Sequence, residues 1–327
     1  MVRGPATVKV EGRCSVLGMD VSGRQVAVRA GKALPFEPDP DCLLGIDGEA
    51  WSADPSTAGT AMWRNAVQKM LSGRNALVMV AGGVDAGKST FCTYLANAAI
   101  SRGIMPCIID GDVGQGDLAP PAAIGAAAPT GPVTDLRDVG AHLFEFIGGI
   151  SPAGRERLVV GRIKSLLGRT RHMAGLHIVN TDGYADALYK RMLARATKPD
   201  AIVVLGSRQL AAELAGPWQV IWARSAWQAS KTYHERVGRR LEQFMRFVGE
   251  GSATMAASKV RFVHSGRPAL RATEGMFVGL GEKDRVEGFG IIASIGKDIA
   301  VKTGVRHFTT VWLSDVSLKD DVESRLS

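Results

Sequence analysis

Hydrophobic and polar residues alternate with a period of two in the first part of the chain. The alternating stretches are 6–11, 14–17 and 24–29, and turns rich in Gly and Asp separate them. This period is that of a strand with one buried and one exposed face. The pattern therefore predicts a small antiparallel N-terminal β domain in residues 1–60.

After residue 75 the pattern changes to short continuous apolar runs that alternate with stretches of helical periodicity. The apolar runs, which we predict to be buried strands, are 76–81, 106–110, 143–147, 176–180, 201–205 and 218–222. The predicted helices are 61–72, 89–102, 155–173, 185–196, 208–215 and 226–248. Such alternation indicates an α/β domain, 61–252, with a parallel sheet and helices on both faces. Ligands of these sheets bind at the carboxyl ends of the strands.

Short strand patterns return near the C-terminus. They cover 259–263, 275–279, 290–294, 298–302 and 308–312. We therefore predict a β-barrel-like C-terminal domain in residues 253–327.

Composition narrows the class of protein. The 327 residues are 46% hydrophobic and 22% charged, which is typical of a globular domain, and no apolar run is long enough for a membrane span or a secretory signal. The four cysteines are scattered without any C-x-x-C pair, as in proteins of a reducing compartment. We expect a cytoplasmic protein that makes no membrane contact. The net charge of +8 suits a polyanionic partner.

Residues 82–89 match the phosphate-binding pattern G-x-x-x-x-G-K-[ST]. A predicted strand precedes the match and a predicted helix follows it, so the fold is expected to be a P-loop α/β fold flanked by two β domains. The glycines turn backbone N–H groups toward phosphate oxygens, Lys88 holds the outer phosphates and Ser89 binds Mg²⁺. The residues predicted to bind the nucleotide are Gly82, Gly83, Val84, Asp85, Ala86, Gly87, Lys88, Ser89 and Thr90.

Two acids follow the second predicted strand. Asp110 and Asp112 stand at its carboxyl end, where one carboxylate can hold the magnesium shell and the other can accept a proton from an attacking hydroxyl. Asp112 is the better candidate for the base, and Asp110 alternatively caps the next turn.

The sequence does not match the motifs of GTPases. The stretch 180–184 lacks their D-x-x-G. The letters of 197–200 match a guanine-specifying pattern, but they precede a strand instead of following one.

These motifs occur in an order that resembles the polynucleotide 5′-hydroxyl kinase family, whose eukaryotic members act in messenger RNA 3′-end formation, tRNA splicing and ribosomal RNA processing. The matching segments are 82–90, 110–115 with 120–121, 149–152, 180–184 and 224–225. The glycine-rich stretch 275–290 is similar to the family's C-terminal barrel. The resemblance covers nearly the whole chain.

The resemblance implies transfer of the γ-phosphate of ATP to the 5′-hydroxyl end of RNA or DNA, with Mg²⁺ bound by Ser89, Asp110 and Asp112. By the same resemblance Asp112 is the general base and Gln115 contacts the substrate end. Ser151 and Pro152 clasp the substrate backbone. Tyr184 stands where the family commonly has a base-stacking Trp. RNA-processing proteins are the implied partners.

The lid is the segment where the match is weakest. The family places one Arg before a Ser and a second Arg about five residues later, and Arg224 matches the first of these. Ala229 occupies the second position, with Lys231 and Arg236 nearby. Either cation substitutes for the missing Arg, or the enzyme is slow. The alternatives are an ATP-binding, catalytically weak scaffold in RNA processing, and a general P-loop ATPase or GTPase.

Overall fold

The computed structural model describes residues 1–52, 60–73, 76–141, 143–225, 232–264, 271–319 and 322–325. Among these residues no helix is both long enough and apolar enough to cross a membrane.

The N-terminal part is made of short antiparallel strands. Strand β1 pairs with β4, β5 and β7, and a second small sheet has the order β3-β2-β6. Val8, Val16 and Leu34 are buried between these strands. The bounds are β1 (Val2–Glu11), β2 (Cys14–Val16), β3 (Met19–Asp20), β4 (Gln25–Val28), β5 (Ala33–Leu34), β6 (Phe36–Pro38) and β7 (Leu43–Ala50).

The central part is built on five parallel strands in the order β14-β13-β8-β12-β9. The bounds are α1 (Thr60–Ser72), β8 (Leu77–Gly82), α2 (Lys88–Ile100), β9 (Pro106–Gly111), β10 (Ala123–Ala127), β11 (Leu143–Phe146), α3 (Glu156–Thr170), β12 (Leu176–Thr181), α4 (Ala187–Thr197), β13 (Ala201–Leu205), α5 (Arg208–Glu213), β14 (Gln219–Ala223) and α6 (Tyr233–Val248).

Helices cover both faces of this sheet because the strands are apolar on both sides. Trp63 of α1 and Phe91 of α2 pack on one face, and Ile163 of α3 and Leu193 of α4 pack on the other. The predicted fold class is confirmed.

One strand that the sequence did not predict, β10, runs against the parallel arrangement of the central sheet. Strand β10 lies antiparallel to β9, and β11, predicted as 143–147, lies antiparallel to β10. Strand β11 then pairs with β18 through Phe144 and Val286. The central sheet therefore continues without a break into the C-terminal strands.

The C-terminal strands pack against α6 through aromatic residues. Phe244 of α6 lies with its ring centroid 4.6 Å from that of Phe277, and Phe277 stacks on Phe289 at 5.8 Å. The bounds are β15 (Ser252–Ala256), β16 (Arg261–His264), β17 (Met276–Glu282), β18 (Arg285–Ile295), β19 (Asp298–Thr303), β20 (Thr310–Lys319) and β21 (Val322–Arg325). This packing fixes α6, which forms one wall of the site described next.

Candidate functional site

The loop between β8 and α2 has the backbone conformation of a phosphate cradle. Asp85 and Gly87 have φ values of +57° and +89°, in the left-handed region that favours glycine. A Cβ on Gly82 would lie 2.7 Å from the carbonyl oxygen of Leu205, so only glycine fits there. Gly87 caps α2 without a side-chain hydrogen bond. The first-turn N–H groups of α2 are therefore available to an anion.

Lys88 is buried beside this loop, with 6% of its surface exposed. Its Nζ donates a 2.6 Å hydrogen bond to the carbonyl oxygen of Gly83. Burial lowers the pKa of Lys88, and the negative charges of Asp112 and Asp182 act in the opposite direction. The lysine is thus held at the mouth of the loop by the loop itself.

Asp110 is enclosed by protein donors. Its Oδ2 accepts hydrogen bonds from the backbone N–H groups of Asp117 at 2.6 Å and Leu118 at 3.2 Å, and its Oδ1 accepts one from Asn180 at 2.9 Å. Burial raises the pKa of Asp110 to about 6, with a further contribution from Asp117 and Asp112. Both oxygens are occupied, which favours the alternative interpretation that Asp110 holds the next turn. Asn180 also contacts the Ser89 hydroxyl at 3.3 Å and so links the two residues.

Asp112, in contrast, lies at the open side of the site. Its Oδ1 accepts hydrogen bonds from the backbone N–H groups of Gly114 at 3.0 Å and Gln115 at 2.9 Å. Burial raises the pKa of Asp112, Lys88 lowers it and Asp182 raises it. The described residues provide no hydrogen bond to its Oδ2. Asp112 therefore has one fixed oxygen and one available for chemistry.

The loop and this carboxylate open into a cavity of about 440 Å³. Its lining brings together segments that are far apart in the sequence. These are Gly31–Ala33, Val84–Thr90, Asp112–Gln115, Ile150–Pro152, Asp182–Ala185, Arg236, Arg239 and Arg240. Of the residues predicted to contact the substrate, Gln115, Ser151, Pro152 and Tyr184 all lie on this cavity.

Tyr184 is presented by a buried network that the sequence did not indicate. Asp182 accepts hydrogen bonds from the Tyr184 backbone N–H at 2.9 Å, from Lys190 Nζ at 2.8 Å and from the Tyr189 hydroxyl at 2.6 Å. Burial raises the pKa of Tyr189 well above its ordinary value, and it lowers that of Lys190 against the attraction of Asp182. Tyr184 itself remains 37% exposed at the cavity mouth.

Helix α6 contributes the arginines of the site. Arg236 Nη2 bonds Asp85 Oδ2 in the loop at 2.7 Å, and Arg239 bonds Asp117. Arg240 bonds Glu323 of the C-terminal part at 2.8 Å. The buried Nε atoms of Arg236 and Arg239 have no hydrogen-bond partner among the described residues. The helix begins with a capping box between Thr232 and Glu235, which fixes its first turn.

Of the two predicted lid cations, Arg224 and Lys231, only Arg224 lies among the described residues. Arg224 is exposed and does not line the cavity, although its carbonyl oxygen accepts a 2.8 Å hydrogen bond from Trp63 Nε1. Lys231, like Ala229, lies outside the described residues. Arg236, which the sequence offered only as a substitute, is the lid-side cation that the structure places in the cavity.

Asp117 joins three parts of the molecule. Its carboxylate is fully buried and contacts Lys32 Nζ of the N-terminal part at 2.9 Å, Arg239 of α6, and Arg137 Nε at 4.0 Å. Burial alone would raise the pKa of Asp117, but Lys32 and Arg239 hold it below its ordinary value. This contact places residues 31–33 on the wall of the cavity.

The described residues contain no group of three or more His, Cys, Asp or Glu side chains placed to hold a metal ion. Of the residues that the sequence predicted to hold Mg²⁺, Ser89 and Asp112 line the cavity. Mg²⁺ is commonly held by one or two protein oxygens together with substrate phosphates. This donor set fits that arrangement once a nucleotide is bound.

Residues 82–237 match the family model for the P-loop of the mRNA cleavage and polyadenylation factor CLP1. The matched residues include the loop, Asp112, Tyr184 and Arg236. This region is similar to that of the polynucleotide 5′-hydroxyl kinases. The match and the loop geometry together indicate ATP binding.

Several curated relatives match part of this chain. A polyribonucleotide 5′-hydroxyl-kinase of Thermococcus kodakarensis is 33% identical over 136 residues, covering 41% of this chain and 39% of the relative. A protein of the same description from Pyrococcus abyssi is 38% identical over 144 residues, 43% and 41% of the two chains. A CLP1 homolog of Brugia malayi is 29% identical over 239 residues, 63% and 54%. The chain spans about two fifths of the length of the archaeal relatives.

The likeness of fold extends further than the likeness of sequence. Clp1p, solved in a complex with Pcf11p, superimposes with a TM-score of 0.69 at 12% identity, over 95% of this chain and 93% of that one. The flanking β domains are therefore part of the shared fold.

Proposed function

We propose that this chain is an ATP-dependent polynucleotide 5′-hydroxyl kinase that transfers the γ-phosphate to the 5′-hydroxyl end of RNA, with DNA ends as the second candidate substrate. The observation that carries the proposal is one cavity lined by Lys88, Asp112 and Tyr184. It combines a phosphate cradle, a carboxylate base and an exposed aromatic face. The names of the archaeal relatives, which match at 33–38% identity, support this activity.

The nucleotide phosphates would occupy the loop. Lys88 exchanges its bond to Gly83 for the β- and γ-phosphates, and the N–H groups of Gly87 and the first turn of α2 complete the cradle. The Ser89 hydroxyl, together with the nucleotide phosphates, is proposed to hold Mg²⁺, and the free oxygen of Asp112 is left for the proton of the substrate. When bound there, Mg²⁺ neutralises charge on the transferring phosphate. Asp110, whose oxygens are occupied by protein donors, is assigned to holding the turn.

Asp112 is proposed as the general base. Burial raises its pKa, which makes it a stronger base than an ordinary exposed carboxylate, and the charge of Lys88 acts in the opposite direction and favours its ionised form. The hydrogen bonds from Gly114 and Gln115 fix Oδ1. Oδ2 can then accept the proton of the 5′-hydroxyl while the hydroxyl oxygen attacks the γ-phosphorus, and the bond between the γ-phosphorus and the β,γ-bridging oxygen breaks to release ADP.

The substrate end is proposed to lie between the loop of residues 150–152 and Tyr184. Gln115 is well placed to contact it, because its Oε1 is buried without a hydrogen-bond partner among the described residues. The Tyr184 ring offers a stacking surface for the terminal base, a contact worth about 1–3 kcal/mol. Ser151 and Pro152 form the opposite wall.

Arg236 is proposed as the cation that stabilises charge on the transferred phosphoryl group. Its contact with Asp85 places the guanidinium group of Arg236 beside the loop that is proposed to hold the phosphates. Lys231 is the alternative cation, and Arg224 is retained as a second contact to the phosphates. Single variants of Arg236 and of Lys231 distinguish between these two cations.

The second candidate is an ATP-binding scaffold of an RNA-processing complex. Two observations favour it: Arg224 does not line the cavity, and a neighbour of the same fold, Clp1p, was solved bound to a protein partner, Pcf11p. A scaffold would hold ATP without turning it over. A cytoplasmic location stays a prediction under either function.

The test is transfer of labelled γ-phosphate from ATP to a 5′-hydroxyl RNA oligonucleotide and to a DNA of the same sequence. We expect transfer by the wild type that disappears in Lys88→Ala and Asp112→Asn. Arg236→Ala should lose far more activity than Lys231→Ala. Tight ATP binding without transfer to either oligonucleotide would refute the kinase and support the scaffold.

A further inference from the structure

The outer face of α4 carries a groove outside the cavity. Leu188, Arg191, Met192, Arg195 and Ala196 line it. Their spacing of three and four residues places them on one side of the helix. Leu188 is 79% exposed, which leaves a large apolar surface in contact with solvent. The groove therefore has an apolar floor flanked by two guanidinium groups.

The helix that carries this groove begins three residues after Tyr184, which lines the cavity. Tyr184 precedes Leu188 by four residues, and Asp182 ties the two segments together through Tyr189 and Lys190 of the first helical turn. Asp186 caps the helix by accepting from the Tyr189 N–H at 2.8 Å. The stretch from Leu188 to Arg195 rises about 10 Å along the helix axis. A chain that leaves the cavity past Tyr184 meets this face next.

The arginines of the α4 groove differ in their ion pairing from the other arginines around the cavity. Neither Arg191 nor Arg195 forms an ion pair with any described residue, and α4 contains no acidic residue. The other arginines around the site are largely neutralised by acids. The paired ones are Arg155 with Asp315, Arg162 and Arg169 with Glu145, Arg236 with Asp85, Arg239 with Asp117 and Arg240 with Glu323. The two guanidinium groups of α4 beside the cavity mouth thus favour an anionic chain.

We propose that this face of α4 binds the single-stranded RNA that follows the 5′-terminal nucleotide. Arg191 and Arg195 contact successive phosphates, and Leu188 with Met192 packs against ribose and base faces. These contacts do not depend on the base sequence of the RNA, because every nucleotide can make guanidinium–phosphate and apolar contacts. The inference rests on the proposed kinase function and extends it to substrate length.

The test compares substrates of two lengths, a 5′-hydroxyl dinucleotide and a 12-nucleotide single-stranded RNA. In the variant Arg191→Ala/Arg195→Ala we expect the KM of the long RNA to rise at least tenfold while its kcat and the KM of the dinucleotide stay unchanged. The salt dependence of the long-RNA KM should also weaken, by a slope of about 1.4, since each single-strand phosphate contact contributes about 0.7.

The matched control is Arg102→Ala/Arg171→Ala. Both residues are exposed, lie just past the C-terminal ends of α2 and α3, and have no ion pair with a described residue. The control loses the same charge at residues that do not line the groove of α4, so it should behave as the wild type. An unchanged long-RNA KM and salt slope in the α4 variant would overturn the proposal and leave this face to a protein partner.

Failure of the proposed function can be told apart from failure of this inference. If the wild type phosphorylates neither substrate, the kinase assignment fails, and fluorescence anisotropy of the labelled 12-nucleotide RNA then decides the question of α4. Weaker binding in the α4 variant but not in the control supports the RNA path. Equal binding in all three proteins refutes it.

Discussion

Replacing Asp117 by asparagine should destabilise the protein by about 3–5 kcal/mol, the usual cost of leaving buried charges without their partner. The carboxylate of Asp117 is fully buried and lies 2.9 Å from Lys32 Nζ, beside Arg239 and within 4.0 Å of Arg137 Nε. Asparagine has nearly the same volume, so the substitution opens no cavity. The loss therefore measures the electrostatic contribution alone.

The size of the effect follows from burial. Lys32 and Arg239 are each only 10% exposed in their side chains, so water does not replace the lost anion. Lys32 keeps the carboxylate of Asp135 at 3.6 Å, whereas Arg239 has no second acidic partner among the described residues. The matched control is Asp138→Asn. Asp138 also joins the N-terminal and central parts, through Arg29, but both side chains are more than 40% exposed. Exposed pairs contribute about 0–1 kcal/mol, so the control should unfold almost as the wild type does.

The assay is urea denaturation followed by tryptophan fluorescence at several pH values. Lys32 and Arg239 lower the pKa of Asp117 below 3.8 in the folded protein, so its stabilising contribution is complete above that pH and is lost as the pH falls through the folded pKa. The difference in the free energy of unfolding between the wild type and Asp117→Asn should therefore be constant from about pH 7 to 5. If Asp117→Asn lowers the free energy of unfolding at neutral pH by no more than Asp138→Asn does, the reasoning is refuted.

Three further predictions concern the site itself. Since burial raises the pKa of Asp112 above 3.8 and the base must be ionised, kcat/KM should fall as the pH drops through an apparent pKa above that value, as a pH–rate profile will show. Arg236→Ala should reduce kcat by about a thousandfold or more, with partial recovery in Arg236→Lys, whereas an equal kcat in both variants would exclude Arg236 from the transition state. A Cβ on Gly183 would lie 2.7 Å from Val84 Cγ2 and 3.0 Å from Val84 Cα, so Gly183→Ala should displace the loop. Calorimetry should then show ATP affinity about tenfold weaker, a loss of about 1.4 kcal/mol of binding free energy. Gly161→Ala, in α3 with nothing within 4 Å, should leave ATP affinity unchanged, and equal affinities in the two glycine variants would contradict the clash.

The parts of the site that could be predicted from the sequence are those whose positions depend on local sequence patterns. The loop, its strand and its helix are contiguous, so the positions of Lys88 and Ser89 follow from the order of residues alone. Asp112 and Tyr184 follow strands whose carboxyl ends meet at one edge of a parallel sheet, and the fold brings both to the cavity. Each of these positions depends on the order of elements and not on how distant segments pack.

The residues that the sequence missed depend on packing between distant segments. Lys32 reaches Asp117 across 85 positions, and Arg239 reaches it across 122. No spacing rule connects such residues. Asp110 shows the complementary limit: its carboxylate was predicted to bind metal, but several protein hydrogen bonds hold it away from the cavity. A sequence shows that an acid is present at a strand end but not how many donors the fold has already supplied to it.

The distribution of positive charge illustrates the same limit at the scale of the molecule. The arginine-rich stretch 155–171 is a dense basic cluster, yet Glu145 and Asp315 pair with three of its arginines. Inside the cavity the cations are likewise engaged, Lys88 by Gly83 and Arg236 by Asp85. A nucleotide must therefore exchange partners with the protein instead of meeting free charges. Because each exchange replaces one anion or carbonyl with a phosphate oxygen, the site gains affinity only where the phosphates fit better than the loop's own groups. That requirement makes the geometry of the loop, more than the net charge of the protein, the source of nucleotide selectivity.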